Sequence, residues 1–210
     1  MKKEATKIKK SLGSELLDAQ GVRRLDIRKL NLGCDFDYKE GWINLDQYPG
    51  RADIVHDLDK FPYPFKKDTF DYILASHVIE HLNNIIKVMK ELWRISKPDA
   101  IIEIKVPYYK SFNAFRDITH KHQFTWDSFS TFVGKLSLRE KKEVGYIPVL
   151  FEYVDRKLIW ASSNKLFIKQ LCKLNNKIIN INPEFFERYC PIFFDIFNPE
   201  ALHVKLRVKK

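Results

Sequence analysis

Gly33 and Asp46 are the first residues of this chain whose types and spacing suit chemistry. The apolar run in RKLNLGCD stops at Gly33, a loop follows, and a second apolar run, GWINLD, ends in the carboxylate of Asp46. A residue without a Cβ lets the backbone come close to a ligand, and a carboxylate at the end of the next strand accepts both hydroxyls of a ribose. Together they describe a nucleoside site in an open α/β sheet. Singly, each has a plainer explanation, a glycine that only turns the chain and an acid that is only solvated. The second such stretch is RDITHKH, in which Asp117, His120 and His122 bring a carboxylate and imidazoles together. Asp117 stands three residues before His120, so one reading is a carboxylate that orients a proton-accepting imidazole. The other is an imidazole hydrogen-bonded to backbone in a packed loop. HKH does not argue for a metal, because i and i+2 share a face only on a strand and no third ligand is evident.

The elements that must position these residues follow from hydrophobic pattern. Ile27 to Leu32, Trp42 to Leu45 and Asp53 to Val55 read as three strands within about thirty residues. Their connections are too short for the crossover helix of roughly a dozen residues that parallel neighbours usually need, so Phe36 to Glu40 is expected as a loop or single turn. The proline-broken FPYPFKKDTF leads into a fourth strand, Phe70 to His77, whose continuous apolar middle suits burial on both faces. From Val78 to Ser96 apolar residues recur at three and four, which predicts a helix ended by Pro98. Ala100 to Tyr109 is the next strand.

Residues 110–143 carry no regular period and are expected as an insertion over the strand ends, where substrates are held. Beyond it, Phe151 to Trp160 reads as a strand, and Lys165 to Asn176 and Pro183 to Phe197 as helices. LHVKLRV near the end alternates as an outer strand wetted on one side would.

The 210 residues, with 45% hydrophobic side chains, are enough for one sizeable core and one domain, 27–210, behind a Lys-rich tail and short helix at 1–26. Three cysteines without CxxC spacing indicate neither a disulfide framework nor a zinc ribbon, which fits a reducing cytoplasm. No apolar run approaches the roughly 20 residues of a membrane span, so no membrane span is expected. The net charge of +10 would favour phosphate-rich partners, yet it is spread along the chain, and no RNA-binding motif accompanies it.

GxGxxG and GxxxxGK[ST] are both absent, which counts against nicotinamide, flavin and nucleoside-triphosphate enzymes. LNLGCD, GWINLDQYPG, DIVHDL, FPYPFKKDTFDYILASHVIEHL, ELWRISKP, VPYY, FRDITHKHQFT and IFNPEALHVKLRV occur in that order. This succession resembles the class I S-adenosylmethionine-dependent methyltransferases, and more narrowly the group related to the type 11 methyltransferase domain, whose substrates are unassigned. The resemblance implies a Rossmann-like α/β fold, mostly parallel with a C-terminal antiparallel strand. It implies S-adenosylmethionine as cofactor and S-adenosylhomocysteine as product. It places Leu32, Gly33, Cys34 and Asp35 along the methionine part, Asp46 on the ribose, Asp57 and Leu58 at the adenine, and Ser76 and His77 beneath the sulfonium. His120, Asp117 and His77 become the candidate catalytic residues.

Two motifs depart from the group's pattern, LGCD where LGCG is usual and KPDA where KPGG is usual. Asp35 therefore stands where a glycine normally turns the loop. The implied reaction is methyl transfer to oxygen or nitrogen of a small molecule or glycan precursor. RNA or protein methylation, and a non-catalytic cofactor-fold binding protein, are the alternatives.

Overall fold

Five parallel strands hold the first half of the chain: β1 (Lys29–Leu32), β2 (Ile43–Asp46), β3 (Ile54–Val55), β4 (Phe70–Ser76) and β5 (Ser96–Pro107). β6 (Phe151–Ile159) and β7 (Ala201–Val208) complete one sheet in the order β3-β2-β1-β4-β5-β7-β6, with β7 antiparallel to both neighbours. This computed structural model describes residues 27–50, 52–134, 150–160, 174, 177–189 and 199–210. The expected tail at 1–26, most of the helix at Lys165 to Asn176, and Cys172 and Cys190 lie outside the described residues, as does the end of the insertion.

The sheet is the mostly parallel α/β sheet that the family resemblance implies, and its strand order reverses at β1, whose neighbours are β2 and β4. In open sheets of this kind the crevice at the carboxyl ends of the strands beside such a reversal is where ligands bind. The middle of β4 is buried as expected: Ile73 and Ala75 are fully covered and Leu74 nearly so.

The connection from β1 to β2 contains no helix, as its length predicts, and a buried side chain replaces what a helix would supply. Asn44 Oδ1 accepts from Lys39 N–H at 2.9 Å and from Asn31 Nδ2 at 3.1 Å. Its Nδ2 donates to the carbonyls of Lys39 (2.9 Å) and Trp42 (3.3 Å) and to Asp53 Oδ2 (3.1 Å). The loop's buried polar groups are thus satisfied from one asparagine on β2.

Three expectations are corrected. The helix expected from Val78 to Ser96 is two pieces, a 3-10 turn at Ile79–His81 and α1 (Ile85–Ile95), separated by Leu82 in extended conformation. Asn83 is drawn off by Asp59, through backbone and side-chain bonds of 2.8 and 2.6 Å, and Asn84 caps α1 by accepting from Lys87 N–H. Apolar periodicity alone does not register such competing side-chain bonds. LHVKLRV is not an outer strand: β7 lies between β5 and β6, and its alternation arises because Leu202, Val204, Leu206 and Val208 face the core while the other face carries polar contacts. Finally, the fifth strand begins at Ser96 directly after α1, and Pro107 ends it.

Candidate active site

Each predicted cofactor contact follows the carboxyl end of a parallel strand: Leu32 to Asp35 after β1, Asp46 at the end of β2, Asp57 and Leu58 after β3, Ser76 and His77 at the end of β4. Gly33 has φ +65°, and a Cβ there would stand 2.4 Å from Val78 Cγ2, so the turn has no room for a side chain. Gly33 and Cys34 N–H both donate to Leu45 O, at 2.8 and 3.1 Å, which ties the loop to β2. Asp35 takes φ +38° and therefore keeps the left-handed turn that a glycine would make; Asp tolerates that region better than most residues.

Asp46 is engaged by backbone on both oxygens, Oδ2 accepting from Asp35 N–H at 2.9 Å and Oδ1 from Tyr48 N–H at 3.0 Å. A carboxylate offers roughly four acceptor sites, so capacity for hydroxyls remains, with the group already oriented. Cys34, Asp35 and Asp46 line a cavity of about 290 Å³ together with Phe36, Tyr48, Pro49, Gly50 and Ala52. Phe36 and Tyr48, exposed and unmarked by the sequence patterns, give it an aromatic rim. Burial, then the Asp46 charge, pushes the Cys34 thiol up, so it stays protonated and fills space. The donor set and the glycine turn fit the nucleoside part of S-adenosylmethionine. Leu32 and Leu58 are buried in the core, and neither they nor Gly33, Asp57 and Ser76 line this cavity, so Gly33 acts through the turn it makes.

A second cleft, about 530 Å³, is lined by His77, Glu80, His81, Pro107, Asn113, Arg116, Asp117, Ile118 and His120. Asn113 and Arg116 sit on α2 (Phe112–Arg116), the short helix that opens the insertion. Val78, which closes on Gly33, lies between His77 and the 3-10 turn that bears Glu80 and His81. His77 has φ +54° and its N–H bonds Lys105 O; this left-handed turn sends the chain out of β4 at the cleft.

His120 Nδ1 is 3.2 Å from Ala114 O, so it donates there and leaves Nε2 as the basic nitrogen. Asp117 lies 4.0 Å from His120 Nε2, beyond hydrogen-bond reach. Its bonds go instead to Thr119, from the hydroxyl at 2.7 Å and the N–H at 2.8 Å, which lower its carboxyl below the usual range. The Thr119 hydroxyl in turn meets His81 Nδ1 at 2.9 Å. Asp117 thus acts on His81 through Thr119, a link the three-residue spacing to His120 did not suggest. His122 Nε2 bonds Leu82 O, 2.8 Å away, and does not line the cleft.

Glu80 and His81 were missed as site residues, although SHVIEH carries them in plain sight beside His77. Glu80 is fully buried, and among the described residues neither of its oxygens has a hydrogen-bond donor; His77 Nδ1 stands 3.4 Å from Oε1.

Residues 18–142 match the family described as methyltransferase domain. No curated protein matches the chain. Among solved structures it is similar to an S-adenosylmethionine-dependent methyltransferase from Archaeoglobus fulgidus, with 16% identity over 86% of each chain and a TM-score of 0.52. A chain of the Haloferax volcanii complex that contains the Trm112 methyltransferase activator is 13% identical over 99% of this chain and 90% of that one, with a TM-score of 0.55. The YcgJ protein of Bacillus subtilis is 12% identical over 100% and 99%, with a TM-score of 0.51. At these identities the likeness is one of fold. The family match spans more than half of a chain whose sheet reverses where such a site is built, and the chain belongs to the methyltransferase-domain family, as a class I enzyme that uses S-adenosylmethionine.

Proposed function

We propose that the enzyme methylates an oxygen or nitrogen of a small molecule or glycan precursor held in the cleft between His77 and His120. The observation that carries this reading is the cleft's lining, with His77 at the carboxyl end of β4 one residue before the Val78 that closes on the Gly33 turn, and with further imidazoles and Arg116 around it. Bound S-adenosylmethionine supplies a methyl group made electrophilic by its sulfonium. Asp46 holds the ribose diol, and the Gly33 turn and Asp35 admit the methionine part; Asp57 and Leu58 at the adenine and Ser76 and His77 at the floor rest on the family resemblance, since none of the four lines the cavity beside Asp46. The insertion after β5 covers the acceptor and excludes water. When the acceptor is a hydroxyl, its O–CH₃ bond would form as the S–CH₃ bond breaks, leaving S-adenosylhomocysteine, and an imidazole of the cleft, His120 or His77, would take the hydroxyl proton. A reducing cytoplasm, in which the free buried Cys34 persists, is the proposed compartment; among the described residues no helix is long and apolar enough to cross a membrane.

Calorimetry with S-adenosylmethionine and S-adenosylhomocysteine tests the cofactor assignment. Binding in the micromolar range is expected, and none at millimolar ligand would leave only a cofactor-fold binding protein. His120→Ala is expected to lower methyl transfer ~100-fold with cofactor affinity unchanged; equal loss of folding and activity would make His120 structural.

A further inference from the structure

We propose that Glu80, His81 and His120 form a site for a divalent transition cation, and that this cation holds the acceptor through an oxygen. One ligand atom from each of the three residues lies within 4.8 Å of the other two. Two imidazoles and one carboxylate with positions left open is a set that binds Zn²⁺ and neighbouring first-row cations in reactive sites.

The buried carboxylate is the observation that points to a ligand. Glu80 has no exposed surface and no hydrogen-bond donor among the described residues, and it borders a cleft. A buried carboxylate left so costs several kcal/mol, roughly, unless a cation or donors meet it. Among the described residues, His77 Nδ1 at 3.4 Å is the cationic candidate that pairs with it, more than half exposed and too distant for a good charge-assisted bond. A metal ion between Glu80 and the two imidazoles satisfies the carboxylate from the side that faces the cleft.

The imidazoles are prepared for that task. His120 Nδ1–H is anchored on Ala114 O. Thr119 gives its hydroxyl proton to Asp117 and therefore accepts from His81 Nδ1–H. Both rings consequently offer Nε2 as a lone pair, and each is oriented by a partner on its other nitrogen, the arrangement that metal-ligating histidines show. The ring centroids are 4.7 Å apart at 64°. Tetrahedral ligand atoms at ordinary Zn–N and Zn–O lengths are about 3.3 Å apart, so rotation of the rings must close up to about 1.5 Å.

The inference rests on the cleft being the acceptor site and narrows that reading. With His120 Nε2 on the metal, His77 is the imidazole left to accept a proton, and a hydroxyl coordinated to the cation loses its proton more readily. The favoured acceptor atom is then oxygen.

The test is Zn²⁺ titration of the full chain, stripped with chelator, followed by calorimetry and repeated with Co²⁺ for its visible absorption. One equivalent is expected to bind, with affinity falling at least 10-fold in His81→Ala and in His120→Ala, and Thr119→Val weakening it 10- to 100-fold as an orienting partner. Glu80→Gln keeps the side-chain volume and should behave as the histidine variants do; if it fails to fold, the two half-buried histidines carry the test. No binding by the unaltered chain, or binding indifferent to both histidines, overturns the proposal. S-adenosylmethionine affinity is measured separately on the same protein. Cation binding without cofactor binding would sink the cofactor pocket alone, and the reverse would sink only the metal site.

Discussion

At the scale of single residues, this site depends on groups whose orientation is set before any ligand arrives. Asp46 is held by two backbone N–H groups, so the ribose proposed to bind there would meet a carboxylate whose rotamer is already fixed. Asp46→Ala removes both the acceptor and the tie on the Asp35 loop, and cofactor binding should weaken by ~2–3 kcal/mol, the value of charge-assisted bonds. Calorimetry checks this, and unchanged affinity would place the ribose elsewhere. Gly33, Asp46 and Asp35 were legible as a loop and a carboxylate because strand ends and left-handed turns are local properties. Glu80 was not legible: its chemistry comes from being sealed against neighbours distant in sequence.

Among the elements, β2 and β5 carry the unusual polar load. Asn44 on β2 is completely buried and organises the helix-free connection from β1. Asn44→Leu would strand several of those backbone groups, and chain stability should drop by about 3–5 kcal/mol, since each unsatisfied buried group costs about 1–3. Urea unfolding measures it. On β5, Glu103 meets the Tyr72 hydroxyl from β4 and His203 Nε2, at 2.9 Å, from β7. Burial raises the Glu103 carboxyl, but Tyr72, His203, Lys205 and Lys105 outweigh it and hold it down to about 2. A group depressed in the folded chain lends stability that is complete above its ordinary value of 4.5 and is lost as pH falls through about 2. Burial also pushes His203 below 6.5, with the same sign. Unfolding midpoints should therefore fall on acidification, and Glu103→Gln should flatten the curve below pH 4.5. An equally steep curve in that variant would remove the cluster as the cause.

For the whole molecule, the charge that hinted at nucleic acid is partly answered from within. Of the basic residues that close the chain, Lys205 pairs with Glu103, Arg207 and Lys209 with Glu152, and Lys210 with Asp68. Binding of RNA should accordingly show a logarithmic salt slope near zero; a slope of −4 or steeper, the mark of about five or more displaced phosphate counterions, would support the RNA alternative. The succession of strands along the chain, the missing crossover helix after β1, the buried β4 and the glycine–carboxylate pair were all determined by sequence alone, because period, turn chemistry and connection length act over a few residues. Only the tertiary structure decided that β7 lies inside the sheet, that Asn83 and Asn84 split the expected helix, and that Asp117 serves His81 rather than His120. It alone brought His120 to Glu80 and His81, since that meeting joins the end of β4 to an insertion forty residues later, and no local pattern encodes a contact made across the sheet's carboxyl edge.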